Sequence, residues 1–496
     1  MNASTQTVPS AQRLLRYMPT VVQQHQELQL VEAAWDNLSL LSALSRLTSQ
    51  ASSGADLSRA RRDFSALSAD MVRGLSQQAL GNAQTELDNK AQVAIDILVR
   101  NLFERTADIG FLASDEVLTA FAARCATPAT DDPSLDHGPQ REAVEQRLGS
   151  YVSFYSVYRS ALLFDADLNL IARHSTDPHA LPPQASAHED DHAWLREALH
   201  SSAPYTERYG RLPSVHPERP CLVYAKALTQ HGHTVGLLCL EFKLDDELPA
   251  IFQMLLGSEE PSSTVLALLD DQHRVVGSSD ALQLPPGWPV PKMAQARSGV
   301  VRHMGREYLV SCRVAQPFEG YGGPGWQGLA LIPLELAFDP SQDSDAASPL
   351  LNEVASHPEF LHGELRQIPP RSTAIRTALE RSVWNGLIDV MRLQGQPGIG
   401  PSDVLFAQTL LSEIGATAQK TARAFASALQ DLHRAVIQAR IHNAQHRATV
   451  ALQILDRNLY ERANDCRWWA LTPSLVRALV QPGPATAALA HQALVR

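Results

Sequence analysis

The chain has no long apolar run. Its apolar stretches, such as Val265–Leu269 and Leu329–Leu331, fall far short of the roughly 20 residues that a membrane-spanning helix needs. The N-terminus, MNASTQTVPSAQRLLRYMPTVV, lacks the continuous apolar core of a secretory signal. Cysteine is scarce: Cys125, Cys221, Cys239, Cys312 and Cys466 are scattered, odd in number and never spaced C-x-x-C. That excludes a disulfide framework and suits a reducing cytoplasm. The 18 histidines include no H-E-x-x-H and no Cys/His ligand spacing, so no metal or other cofactor is expected. Basic excess is also missing: the net charge of −11 argues against a nucleic-acid partner. There is no P-loop, no G-x-S-x-G and no kinase or cyclase signature. The glycines of Gly320–Gly328 do not join a strand to a helix, so they make no phosphate cradle. No enzyme is expected.

What the chain does have is a repeat. Residues 91–118 (AQVAIDILVRNLFERTADIGFLASDEVL) align without a gap to residues 448–475 (ATVALQILDRNLYERANDCRWWALTPSL), sharing R-N-L-[FY]-E-R-x-x-D. Apolar periodicity alone would not keep Arg100, Asn101, Glu104, Arg105 and Asp108 as Arg457, Asn458, Glu461, Arg462 and Asp465. The first copy leads into a long mixed α/β region. The second precedes a short tail, so one module reads as complete and another as only begun. Within each copy, Arg100–Glu104 and Arg105–Asp108 are spaced for attractive pairs along one helix. Salt-bridged helix packing is the plain role of this set, and a signalling hinge the sharper one.

At 496 residues the chain is too long for one core. Residues 1–90 read as a helical region: Leu28, Val31, Trp35, Leu38 and Leu41 recur at three- and four-residue steps. A loop at Ser52–Asp56 should precede a second helix from about Leu57, and a hydrophilic connection should cover residues 126–150. The pattern then changes. ALLFD-ADLN-LIA (Ala161–Ala172) and VLALLD-DQHR-VVG (Val265–Gly277) each read as a β-hairpin. Further strands are expected at Cys221–Ala227, Thr234–Phe242, Gly299–Arg302, Glu307–Val314 and Gly328–Pro333, with helices at Ala193–His200 and Glu247–Leu256. Residues 341–371 read as a linker and 372–480 as a C-terminal helical region holding the second repeat copy. A Gly/Pro break falls at Gln394–Pro401, and residues 481–496 form a loosely held tail. Phe425, Leu429, Leu432 and Val436 have the spacing for helix pairing, which could join two copies of the chain.

The two hairpins share D-x-x-x-x-L/V-I/V-A/G, which resembles the opening of PAS-like sensor folds. Two in tandem behind a long helix resemble a double Cache sensor domain, over about residues 91–340, with units near 151–258 and 262–338. Trp194 in DDHAWLREAL resembles that family's R-x-W-Y-x-x-A helix, Gly236–Phe242 (GLLCLEF) its G-V-x-G-x-D strand, and Phe318–Gly328 its late Gly-rich stretch. The whole is similar to soluble bacterial proteins of the chemotaxis-signalling type. The resemblance implies an α+β fold of tandem PAS-like antiparallel sheets, flanked here by helical regions. It also implies a small-molecule ligand, such as an organic acid, an amine or an amino-acid-like compound, and a chemotaxis-type signalling partner. Where the family's amino-acid binders carry Arg and Tyr beside the Trp, this chain has His192 and Leu195. The strand acid that would hold an amine is Glu241 in place of Asp. The bidentate carboxylate clamp is therefore missing.

The candidate ligand residues are Trp194, Tyr205, Tyr224, Glu241 and His192. Trp194 could wall a pocket or fill a helix core, and Tyr205 and Tyr224 could serve a ligand or the core equally. Glu241 faces solvent, or it is buried and needs a partner. His192 could hold an anion when protonated, or simply be exposed. Trp326 reads as a packing residue. Trp468 and Trp469 need cover from helices or a second subunit. Two functions compete: a cytoplasmic small-molecule sensor acting by population shift, and an interaction scaffold whose Cache-like core binds nothing.

Overall fold

The computed structural model describes residues 11–44, 53–126, 138–177, 188–257, 263–338, 366–393 and 400–495. In chain order the helices are α1 (Ala11–Leu14), α2 (Pro19–Leu44), α3 (Ser53–Ala113), α4 (Glu116–Ala126), α5 (Gly138–Phe154), α6 (Glu189–His200), α7 (Leu244–Leu256), α8 (Pro291–Gln295), α9 (Ile368–Leu393), α10 (Pro401–Trp469), α11 (Pro473–Val480) and α12 (Pro484–Val495). The strands are β1 (Tyr158–Asp165), β2 (Leu170–Ser175), β3 (Thr206–Leu212), β4 (His216–Gln230), β5 (His233–Phe242), β6 (Val265–Leu269), β7 (Val275–Ser278), β8 (Ser298–His303), β9 (Arg306–Val314) and β10 (Gln327–Pro333). Two five-stranded sheets form, ordered β2-β1-β5-β4-β3 and β7-β6-β10-β9-β8. The order is the same in both, with the opening hairpin at one edge and the last strand in the middle. The fold is thus α+β and double Cache-like: two PAS-like sheets in series, with helical N- and C-terminal regions.

The hairpins owe their shape to one aspartate each. Asp165 Oδ1 accepts from the backbone N–H of Asp167 (2.9 Å) and Asn169 (2.8 Å). Asp270 Oδ1 accepts from Gln272 (2.9 Å) and Arg274 (2.8 Å). Leu168 (φ 64°) and His273 (φ 60°) occupy the same left-handed turn position, a strain that the aspartate-capped turn offsets.

The chain forms two compact units. The described part of one lies within residues 88–297, 311–331 and 449–496, and that of the other within 1–87, 298–310 and 332–448. In the latter, helices pack around aromatic rings. Trp35 stacks on Phe64 at 6.0 Å, and Phe64 meets Phe425 edge-on at 5.6 Å. The indole N–H of Trp35 donates to Thr421 (3.4 Å), and Arg371 pairs with Asp70 (2.7 Å). Phe425, Leu429, Leu432 and Val436 are buried here, so their three-and-four spacing serves this chain's own core.

In the former unit, the first sheet is covered on both faces, and β5 is buried from Val235 to Phe242. On one face α6 and the sheet enclose Trp194, Leu195, Leu199, Leu162, Phe164, Val223 and Cys239. The other face meets α4 and the C-terminal half of α3. Gly328 lets β10 approach α3: a Cβ there would lie 2.1 Å from the Ala91 carbonyl oxygen, so no side chain is tolerated.

Three expectations change, and one strand was not foreseen. Residues 138–150, expected as hydrophilic connection, are helical in α5, because Val144, Leu148, Tyr151 and Val152 give it a buried stripe; residues 127–137 lie outside the described residues. No loop separates residues 53–56 from the next helix, since α3 runs unbroken from Ser53 to Ala113. Strand β3 was not legible, because its alternation T-E-R-Y-G-R-L is polar on both faces. The tail forms α12 from Pro484. Most of the 341–371 linker and of the Gln394–Pro401 break lie outside the described residues.

Candidate functional site

Register divides the predicted residues between two faces of the first sheet. Glu241 pairs with Ser160 on one side and Val223 on the other, which puts it on the α6 face with Leu162, Val223, Cys239 and Trp194. Tyr224 pairs with Glu207 and Leu240, one residue out of step, and so lies on the α3 face. A period of two makes this unavoidable for residues 223 and 224 of one strand.

On the α6 face, Glu241 is buried, not solvated, and it has the partners that burial requires. The Ser160 hydroxyl donates to Oε2 at 2.7 Å, and Arg159 Nε lies 3.5 Å from Oε1. Arg159 also pairs with Asp245 and, at 3.7 Å, with Asp177. Arg219 reaches Asp245 at 2.5 Å, and His216 Nε2 meets Asp177 at 3.2 Å. Burial pushes the Glu241 carboxyl up, and Ser160, Arg159, His216 and Arg219 only partly counter it. Asp245 is also penalised by burial, but its hydrogen bonds to Arg219 and Arg159 win and hold it below the usual range. Two neighbouring carboxyls are therefore tuned in opposite directions.

A cavity of about 840 Å³ opens beside this network. Its walls come from the β3 and β4 segments at Glu207–Gly210 and Arg219–Cys221, the end of β5 at Glu241 and Phe242, and one side of α7 at Leu244, Asp245, Leu248 and Pro249. The β6–β7 hairpin closes it with Asp270–Gln272 and Arg274–Ser278, together with Pro324 and Trp326. The lining residues include five acids (Glu207, Glu241, Asp245, Asp270, Asp271) and three arginines (Arg208, Arg219, Arg274); the Glu207 carboxylate is held by Tyr321 on the other face, and acid is still in excess.

Of the sequence candidates, only Glu241 lines this cavity. Trp194 sits in the packed layer under α6, with the Arg208 guanidinium 6.0 Å from its ring. His192 lies on the same helix, half-buried. Residues 178–187, which precede α6, lie outside the described residues. On the other face, Tyr205 and Tyr224 stand 6.3 Å apart, and Tyr321 is 6.5 Å from Tyr205. Tyr321 donates to Glu207 at 2.6 Å. Burial raises Glu207, with the Tyr321 and Tyr224 hydroxyls lowering it in part. Sequence reasoning missed Arg159, Asp177, His216, Arg219 and Asp245. They are scattered over nearly ninety residues, and only strand pairing assembles them.

Helix α7 connects the cavity to the repeat. Asp245 and Leu248 line the cavity. Glu247, between them, accepts from Asn101 (2.6 Å) and from two nitrogens of Arg457 (2.5 and 3.2 Å). The residue one step away in α7 thus holds both repeat copies in a bidentate, charge-assisted contact.

No family model and no curated protein matches this chain. Solved sensor domains are similar to about half of it. The sensor domain of the Vibrio cholerae histidine kinase DctB matches at 13% identity, covering 52% of this chain and 98% of that one, with a TM-score of 0.37. The ligand-binding domain of the Campylobacter jejuni chemoreceptor Tlp3, in complex with L-valine, matches at 14% identity, 52% and 97% coverage, and a TM-score of 0.34. That of the Pseudomonas fluorescens chemoreceptor CtaA, in complex with L-leucine, matches at 15% identity, 52% and 97% coverage, and a TM-score of 0.33. The fold assignment itself rests on strand order and register, which make each of the two sheets a PAS-like sheet of order 2-1-5-4-3.

Proposed function

We propose that the chain is a cytoplasmic small-molecule sensing module of a bacterial, chemotaxis-like signal-transduction system. The observation that carries this reading is the cavity with α7 as one wall, because α7 also grips both repeat copies through Glu247. A ligand that prefers one position of α7 biases the Asn101 and Arg457 contacts, and a differential affinity of this kind is all that a population shift requires. The excess of carboxylate on the walls favours an amine-bearing ligand, with Glu241 and Asp245 as its anionic contacts and Arg219 available to a ligand acid. Trp194 and Arg208 would back the site from the α6 side. The five cysteines are free, with Cys221, Cys239 and Cys312 buried, which accords with a reducing compartment. No described helix is long and apolar enough to cross a membrane.

The test is a thermal-shift screen of the full chain against amines, amino acids and organic acids. A ligand at about 100 times its dissociation constant stabilises by roughly 2.7 kcal/mol. The expected result is a hit among amines or amino acids that Glu241→Gln and Asp245→Asn weaken at least tenfold by calorimetry. Because burial raises the Glu241 carboxyl, affinity for a cation should grow as pH rises through that raised value. A broad library without a hit would leave the scaffold reading, to which the close packing of Trp194 already lends support.

A further inference from the structure

The two repeat copies lie against each other, and their contacts are reciprocal. Arg105 of the first copy meets Glu461 of the second at 3.1 Å. Arg462 of the second copy, which aligns with Arg105, meets Glu104 of the first, which aligns with Glu461, at 2.6 Å. Glu247 binds residue 101 of one and residue 457 of the other, so the helices run parallel and in register. The aspartates behave alike too: Asp108 accepts from Tyr158 (2.6 Å) and Asp465 from Tyr155 (2.8 Å). The likeness continues past the aligned core. Helix α3 ends at Ala113 and α4 starts at Glu116; α10 ends at Trp469 and α11 starts at Pro473, their counterparts within one residue.

A contact in which position i of one helix meets j of its partner, while j meets i, is the mark of two identical elements related by a two-fold axis. Here both elements belong to one chain. We propose that the second copy stands in cis where the same helix of a second molecule would otherwise stand, so that a homodimer contact is closed within a single chain. This explains why the repeat keeps its charged residues, which apolar burial would not require. It also makes the first copy self-complementary: its Glu104 and Arg105 could pair with Arg105 and Glu104 of another molecule. The cis helix therefore competes with, and masks, a trans partner that is a second copy of this chain.

Charge reversal in the full chain tests it. Glu461→Arg with Arg462→Glu should expel the second copy from the seam and free the first, doubling the number of chains per particle by light scattering relative to wild type. Adding Glu104→Arg spoils the self-complementarity of the first copy and restores a cis pair with residue 462, so the number should return to that of wild type. An unchanged number in the double variant, or a gain that persists in the triple, would overturn the proposal. A second measurement needs no disruption. Glu104→Cys with Arg462→Cys, oxidised, should give a disulfide within one chain on a non-reducing gel. A cross-link between chains that neither single-cysteine variant forms would overturn it.

Discussion

The same helical sequence occurs twice in this molecule, and its apolar face has opposite fates in the two copies. In the first copy the apolar stripe Ile95, Leu98, Leu102, Ile109 and Leu112 is fully buried. In the second copy the aligned residues Leu452, Leu455, Leu459 and Trp469 are 67, 55, 63 and 41% exposed. The charged face is paired in both: Arg105 meets Glu461 and Arg462 meets Glu104 across the two copies. The lesson is that an apolar stripe is only a capacity for burial. The first copy realises it against its own sheets, and the second, with no sheets of its own among the described residues, does not. Trp468 and Trp469 show the same split. Trp468 is buried edge-on against Tyr151 at 4.9 Å, with Arg147 5.0 Å from its ring, while Trp469 stays open.

Trp468→Ala should cost about 3–5 kcal/mol in denaturant unfolding and Trp469→Ala less than about 1; similar costs would mean that Trp469 is covered in solution. Arg105→Met strands Asp108 and Glu461 as buried charges and should also cost about 3–5 kcal/mol. Its counterpart Arg462→Met, on a side chain 57% exposed, should cost under about 1 kcal/mol. Leu98→Ala and Leu102→Ala should each lose about 2–5 kcal/mol, whereas Leu455→Ala and Leu459→Ala should stay within about 0.5; a large loss in the second pair would reveal a partner on that stripe.

Burial pushes the Asp108 carboxyl from 3.8 up to about 6, with Arg105 and Tyr158 pulling it part of the way back. The folded value lies above the unfolded one, so this group's stabilising contribution is complete below pH 3.8 and is lost as pH rises through about 6. The stability of wild type relative to Asp108→Asn should therefore fall by about 3 kcal/mol at most across that window. A fall on acidification would show the ion pair with Arg105 outweighing burial.

Much of the fold could be read from the chain. Both hairpins, the later strands and the helices around Ala193–His200 and Glu247–Leu256 were legible because aspartate turns and apolar runs are local signals. The helix α5 and the strand β3 were not, since a polar surface hides one and two-sided polarity the other. The site was less legible. Glu241 could be singled out by its place in an apolar strand, but whether it faced water or a partner depended on which strand lay opposite. Arg159, Asp177, His216, Arg219 and Asp245 carry no local mark at all. Trp194 and Tyr224 could not be separated without register, which sets them on opposite faces of one sheet.

By itself the sequence determined the two opening hairpins, the turn geometry of each, and the duplication of R-N-L-[FY]-E-R, because these follow from interactions within a few residues or from direct alignment. Only the tertiary structure decided that the two copies clasp each other, that α7 joins them to a cavity, and that one copy's apolar stripe is buried while the other's is open. Those outcomes depend on pairings across 146 to 358 positions of the chain, over which no local preference acts and only the packed core selects the partner.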